Sequence, residues 1–196
     1  MSNYTLKYYA DNKEQFIEST VHADMSANYT DFLERVIPGG HILDLGCGTG
    51  RDSLAFLQRG YKVTAVDGSS ELCQYAAQLL NQPVRTLLFD DLDYEDEFDG
   101  IWACASLLHV PREQLPNIMQ KVQRALKPNG VLYLSFKYGD FEGERGGRFF
   151  TDMNEESLKT LIESVGGLTI KKMWLTDDVR VDRVEKWLNV VGRRDR

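Results

Sequence analysis

The chain has 196 residues, 42% of them apolar and 27% charged, with a net charge of −7. That length supports one domain with a real core and is too short for two comfortable ones. No apolar run reaches the length of a membrane span, and an acidic chain is a poor partner for nucleic acid, whose binding is driven by neutralising phosphates.

The N-terminus, Met1-Ser-Asn-Tyr-Thr-Leu-Lys7, lacks the apolar segment of a signal peptide, so a cytoplasmic location is expected. The first forty residues read as helical: Tyr8, Tyr9, Phe16, Ile17, Val21, Met25, Tyr29, Phe32, Leu33 and Val36 lead to a stop at Pro38-Gly39-Gly40. A buried strand follows at His41-Ile-Leu-Asp-Leu45, then a tight turn with Gly46, Gly48 and Gly50 at every second position, then a helix running to Gly60. The second strand, Tyr61–Asp67, ends in an acid. Ser69 is placed to cap a helix through Cys73, Ala76 and Leu80. A third strand at Val84–Phe89 ends at Asp90, and an acidic loop to Glu97 precedes a fourth at Phe98–Ala105. Pro111–Leu126 is an amphipathic helix stopped by Lys127-Pro-Asn-Gly130, and Val131–Phe136 is the fifth strand. A Gly-rich loop, 139–147, precedes a helix near Asn154–Val165. Two adjacent strands, Leu168–Leu175 and Glu185–Val191, then suggest an antiparallel hairpin at the sheet edge. Strands and helices alternating at this rhythm give a mainly parallel sheet.

The glycine turn carries the chemistry. Glycines there let a ligand approach the backbone. A dinucleotide site wants G-x-G-x-x-G with a diphosphate on the helix N-terminus. This chain reads G-x-G-x-G, places Arg51 where the third glycine of that pattern falls, and puts Asp44 just ahead of the turn. An acid beside the turn repels a diphosphate and suits a cation. Asp67, about twenty residues on, is placed to accept both hydroxyls of a ribose. A nucleoside with a positively charged, phosphate-free tail describes S-adenosylmethionine.

At these residues the chain resembles the class I S-adenosylmethionine-dependent methyltransferases. Arg51, Asp52 and the run through Gly60, Val63 and Asp67 are most similar to the tellurite-resistance and related small-molecule members. The resemblance implies a Rossmann-like fold: a seven-stranded, mostly parallel sheet with a reversed last strand and helices on both faces. One domain spans 1–196, with 1–40 as a helical lid and 41–196 as the α/β core. It also implies that Asp44, Gly46, Cys47, Gly48 and Gly50 surround the methionine end of the donor. Asp67, Gly68 and Ser69 would hold the ribose, Asp90, Asp91 and Leu92 the adenine, with Ala105 beside them. Four acids (44, 67, 90 and 91) are expected to converge where a cation relieves their repulsion. Arg51 either reaches the donor's carboxylate or pairs with Asp52, and Cys47 fills the turn.

On the acceptor side, Ala103-Cys-Ala-Ser106-Leu-Leu-His109-Val-Pro111 lacks the acid-or-Asn Pro-Pro-aromatic pattern of adenine-amine methyltransferases. The Leu-Leu-His-Val pattern is common among relatives acting on small molecules. His109 is the catalytic candidate: a general base, an orienting group, or a cap for the next helix. Tyr8 and Tyr9 are lid candidates. Lys137, Arg145 and Arg148 in the Gly-rich segment, with Arg180 and Arg183, are placed to grip an anion, or only to pair with Asp140, Glu142, Glu144 and Asp182. The charge is uneven: residues 1–100 hold 7 Lys/Arg against 17 Asp/Glu, net −10, and residues 101–196 hold 16 against 13, net +3, which favours an anionic acceptor on that side. Isolated Cys47, Cys73 and Cys104 argue against a disulfide framework or a metal site. A non-catalytic binder of S-adenosylmethionine and an NAD-linked oxidoreductase are the competing readings. The sequence carries no signal for an oligomeric state.

Overall fold

The computed structural model describes residues 3–180 and 183–196; Met1, Ser2, Val181 and Asp182 lie outside the described residues, and with them the pairing expected of Asp182. Nine strands and seven α-helices are formed among the described residues. In chain order they are α1 (Asn3–Asp11), α2 (Lys13–Thr20), α3 (Ser26–Leu33), β1 (His41–Leu45), α4 (Arg51–Gln58), β2 (Lys62–Asp67), α5 (Ser70–Leu80), β3 (Arg85–Thr86) and β4 (Phe98–Ala103). There follow α6 (Leu115–Ala125), β5 (Leu126–Lys137), β6 (Glu142–Arg145), β7 (Arg148–Thr151), α7 (Glu155–Val165), β8 (Leu168–Asp177) and β9 (Lys186–Arg194). Short 3₁₀ turns at Phe89–Asp91 and Leu107–His109 complete them. No helix among the described residues is long and apolar enough to cross a membrane.

Seven strands form one sheet in the order β3-β2-β1-β4-β5-β9-β8. The first five run parallel, and β9 is antiparallel to both β5 and β8, so the last strand is the reversed one, as the resemblance implies. Central strands of such a sheet are covered on both faces and read as near-continuous apolar runs. Ile42, Leu43 and Leu45 of β1 and Ile101, Trp102 and Ala103 of β4 are all buried. One face packs on α6 and α7; the other holds Tyr29, Phe32, Phe56, Trp102 and Tyr133, with Trp102 and Tyr133 stacked at 3.7 Å. Ser69 caps α5 as expected, accepting the N–H of Leu72 at 3.3 Å. The strand order reverses between β1 and β4, and the loops at their C-terminal ends open into a crevice there.

Four expectations needed correction. The helical first forty residues divide into three helices, broken at Asn12 and between Val21 and Met25. β3 keeps two residues of the expected six. Leu87 and Phe89 are buried, and the chain leaves the edge after Thr86 so that both enter the core. α6 begins at Leu115 rather than Pro111, and β5 takes over at Leu126, whose pairing with Phe98 precedes a register shift. The segment expected as a loop at 139–147 contains β6 and the turn into β7, an antiparallel hairpin pairing Glu142 with Thr151 and Arg145 with Arg148. Gly146 (φ 58°) and Gly147 (φ 76°) are both left-handed, as a two-residue type I′ turn requires.

Candidate cofactor and acceptor site

Above the C-terminal ends of β1, β2, β4 and β5 lies a cavity of about 290 Å³, roofed by α1 and α2 and walled by the tip of the β8–β9 hairpin. Its floor at one end is the glycine turn. Gly46 and Cys47 both donate their N–H groups to the Val66 carbonyl at 2.9 Å, which ties the turn to β2. Gly46 has φ 80°, and a Cβ there would stand 2.4 Å from the Cβ of Ser106, so only glycine fits between β1 and the loop after β4. Gly48 donates its N–H to Asp67 Oδ2 and Ser69 its N–H to Oδ1, each at 2.8 Å. The Asp67 carboxylate therefore closes the turn, with the Gly68 N–H also directed at it, and its lone pairs are not all used. Burial raises its pKa against the opposing pull of these N–H groups.

The sequence-derived residues divide sharply by position. Gly46, Cys47, Gly48, Arg51, Asp67, Gly68 and Ala105 line the cavity, as do Tyr8, Tyr9, His109, Lys137, Arg148, Arg180 and Arg183. Asp44, Gly50 and Ser69 support the wall from behind. Asp44 is buried, accepts the Ser53 hydroxyl at 2.6 Å, and has a raised pKa through burial and the neighbouring charge of Asp52. The expected convergence of four acids is not formed. Asp90 and Asp91 stand exposed on the 3₁₀ turn, Leu92 is in the core, and Phe89 is the residue of that turn that faces the cavity. The turn forms because Phe89 and Leu92 are apolar and go inward, carrying the intervening acids out.

Arg51 is engaged by its neighbour. Its guanidinium pairs with both oxygens of Asp52 at 2.6 and 2.9 Å and reaches the Thr20 carbonyl at 3.3 Å. Asp52 also accepts the Tyr29 hydroxyl at 2.5 Å and the Trp102 N–H at 2.8 Å. Burial opposes ionisation of Asp52, but Arg51 and these donors win and hold its pKa below the ordinary value. Most of the expected anion grip is likewise paired: Lys137 with Glu185 at 2.8 Å, Arg145 with Asp152 at 2.9 and 3.1 Å, and Arg180 with Asp178 at 2.8 Å. Arg145 does not reach the cavity. Among the described residues, no carboxylate lies within ion-pair distance of Arg148, unlike Lys137, Arg145 and Arg180. It lies over the ring of Tyr8 at 4.4 Å and Phe150 at 5.0 Å, with its Nε buried and without a hydrogen-bond partner.

His109 sits deeper than a site mouth, 3% exposed. Its Nδ1 is 2.6 Å from the Phe149 carbonyl and its Nε2 is 2.8 Å from the Tyr9 hydroxyl. Burial, aided by Arg148 and Lys137, pushes its pKa down to about 3 against the pull of the Phe149 carbonyl, so the ring is neutral at ordinary pH. It ends a 3₁₀ turn and caps no helix. Two cavity residues had no clear sequence signal. Phe16 of α2 lies against Gly48, and Ser106 presents a buried hydroxyl with no hydrogen-bond partner. Position next to the glycine turn, across 60 residues of chain, is what marks Ser106, and only the fold supplies that.

Residues 42–130 match the methyltransferase domain family. The Bacillus subtilis protein YqeM is 32% identical over 124 residues, covering 57% of this chain and 50% of that one. The ubiquinone biosynthesis O-methyltransferase of Haemophilus ducreyi is 31% identical over 119 residues, covering 55% and 50%. The chain thus spans about half the length of these curated relatives. The 1,6-didemethyltoxoflavin-N1-methyltransferase of Burkholderia thailandensis, solved with 1,6-didemethyltoxoflavin and S-adenosylhomocysteine bound, shares the fold at a TM-score of 0.77. It is 23% identical, and the match covers 97% of this chain and 85% of that one. Residues 42–130 thus match the methyltransferase domain family, and the chain as a whole has the fold of an S-adenosylmethionine-dependent methyltransferase structure.

Proposed function

We propose that this chain transfers the methyl group of S-adenosylmethionine to a small acceptor that carries an anionic group. The carrying observation is the glycine turn at the β1/β4 switch point, with Asp67 closing it and a roofed cavity in front. In this reading the turn and Ala105 take the methionine end, and Asp67 with Gly68 takes the ribose hydroxyls on its free lone pairs. A cationic donor favours the carboxylate forms of buried Asp44 and Asp67, which a diphosphate would oppose. Phe89 offers the adenine an apolar wall, a role the sequence assigned to the acids that follow it. Ser106, with its unpartnered hydroxyl beside Gly46, is an additional donor contact.

A sulfonium is already activated, so the protein's task is to align donor and acceptor and exclude water. Orientation alone is worth ~7–11 kcal/mol of barrier in well-ordered systems. The lid is α1 and α2, which close the cavity over both ligands, while α3 packs its Tyr29 and Phe32 against the sheet as part of the core. Arg148 is the anion-binding group, since its guanidinium is not neutralised by a neighbouring acid. His109 is a positioning residue: a ring whose pKa is pushed to about 3 is a poor sink for an acceptor's proton. The relatives' names give an oxygen acceptor in one case and N1 of a heterocycle in another, so the acceptor atom is not inherited from them.

Calorimetric titration with S-adenosylmethionine and S-adenosylhomocysteine, with NAD as control, tests the proposal. Micromolar binding of both sulfur compounds, lost in Asp67→Ala, supports it and opens an acceptor screen. Binding of NAD alone, or of none of the three, overturns it.

A further inference from the structure

The hydrogen-bond directions around His109 define what the acceptor pocket can recognise. The Phe149 carbonyl at 2.6 Å can only accept, so Nδ1 carries the ring proton. Nε2 of the neutral ring is then a bare lone pair, and the Tyr9 hydroxyl, 2.8 Å away, donates to it. The single phenolic proton is thereby committed. The Tyr9 ring cannot swing to release it, being packed edge-on against Phe16 at 5.0 Å and His109 at 5.6 Å. What Tyr9 offers the cavity is lone pairs only. Beside it stands Arg148, whose Nη1 donates to the Tyr9 oxygen over a long 3.4 Å, so one phenolic lone pair stays open, and whose Nε is buried without a partner. A group with N–H donors to spend and an oxygen that can only accept thus face the same space side by side.

We propose that Tyr9 and Arg148 form a paired recognition element, selecting acceptors in which an anionic or carbonyl oxygen lies next to an N–H or O–H. Hydroxy acids, amino acids and the edges of cyclic amides have this pattern; simple carboxylates and ethers do not. His109 acts through Tyr9: with both ring nitrogens engaged it has no hydrogen bond left for the acceptor, and it is the residue that makes the phenol a one-way acceptor. The proposal rests on the reading of this cavity as an acceptor pocket, and it names the class that pocket takes.

Three small acids test it, titrated with and without S-adenosylhomocysteine: mandelate, with oxygen and O–H adjacent; phenylacetate, without the O–H; and O-methylmandelate, with an ether oxygen that meets the Tyr9 lone pairs. Mandelate is expected to bind about tenfold tighter than phenylacetate, with O-methylmandelate weakest, since a buried acceptor left unpaired is penalised. Tyr9→Phe should bring mandelate down to phenylacetate. His109→Leu should free the phenol to rotate and donate, so that O-methylmandelate gains while the preference for mandelate shrinks. Mandelate no tighter than O-methylmandelate, no binding of any of the acids at high millimolar concentration, or a preference unchanged in Tyr9→Phe overturns the proposal. Nitrogen NMR of histidine-labelled wild-type protein tests it without a variant: His109 should be neutral and Nδ1-protonated from pH 5 to 8. An imidazolium or the Nε2–H tautomer in that range would equally refute it. Failure to bind S-adenosylhomocysteine would instead count against the donor site, and the titrations without it would still decide the Tyr9 question.

Discussion

The two ends of the cavity are built in different ways. The end proposed for the donor is backbone: three glycines, the N–H groups of Gly48 and Ser69, and one carboxylate that closes them, all within residues 46–69. The end proposed for the acceptor is side chains drawn from far apart. Tyr9 meets His109 across 100 positions and Arg148 across 139, and Thr5 holds the Phe149 N–H across 144. A backbone site tolerates almost no change in shape, whereas a side-chain site can be re-specified one residue at a time.

Substitutions at the donor end should therefore have the largest effects. Gly46→Ala forces a Cβ to within 2.4 Å of Ser106 at a left-handed φ. We expect it to abolish measurable donor binding and to cost about 2–4 kcal/mol of stability, read by calorimetry and by chemical denaturation. Retained micromolar binding would mean that the turn is not the donor's cradle. Asp67→Ala comes next. It removes the acceptor of two backbone N–H groups and both proposed ribose contacts, so donor affinity should fall at least about 100-fold. The thermal midpoint should drop by only a few degrees, because the turn is still held by the two N–H bonds to Val66.

This contrast also explains what the sequence disclosed. The glycine turn and Asp67 were legible because their spacing is local, and the strand–helix alternation set the sheet for the same reason. Ser69 was legible as a cap from its place before an apolar periodic run. The adenine acids were misplaced because pattern alone does not say that Phe89 and Leu92 turn inward and carry Asp90 and Asp91 out. The Gly146-Gly147 pair is a hairpin signal, yet four glycines in nine residues read first as a loop. Which arginine stays unpaired depends on where Asp152, Asp178 and Glu185 fall in space, and no spacing rule reports that.

Arg148 and Arg145 test the acceptor end directly. They face each other across the β6–β7 turn, and both lie over Phe150. Arg148→Ala should raise the acceptor KM roughly tenfold to thirtyfold, as expected for losing one charge-assisted contact, with donor affinity changed less than twofold. Arg145→Ala should do the opposite. It strands the buried Asp152 carboxylate and costs about 1–3 kcal/mol of stability while leaving acceptor KM alone. Parallel losses of donor and acceptor affinity in Arg148→Ala would point to folding and erase the distinction between the two arginines.

The smallest effect is a proton. Asp44 and Asp67 both have raised pKa values, chiefly through burial, Asp44 up to about 8, so each takes a proton more readily in the free protein than an ordinary carboxylate. A bound donor brings a cationic tail and ribose hydroxyls, and both favour the carboxylate forms. Binding should then release protons, and donor affinity should rise with pH until the raised pKa values are passed, by less than tenfold per pH unit for each group. His109 adds no limb to this profile between pH 5 and 8, since its pKa of about 3 leaves it neutral throughout. Titration at several pH values, in buffers of different ionisation enthalpy, reads both the slope and the proton count. Proton uptake on binding would reverse the sign and show that the charge at the donor end is not what selects a cation. An affinity flat across the range would leave selectivity to the backbone's shape alone, and the donor end would then differ from the acceptor end in its rigidity but not in its electrostatics.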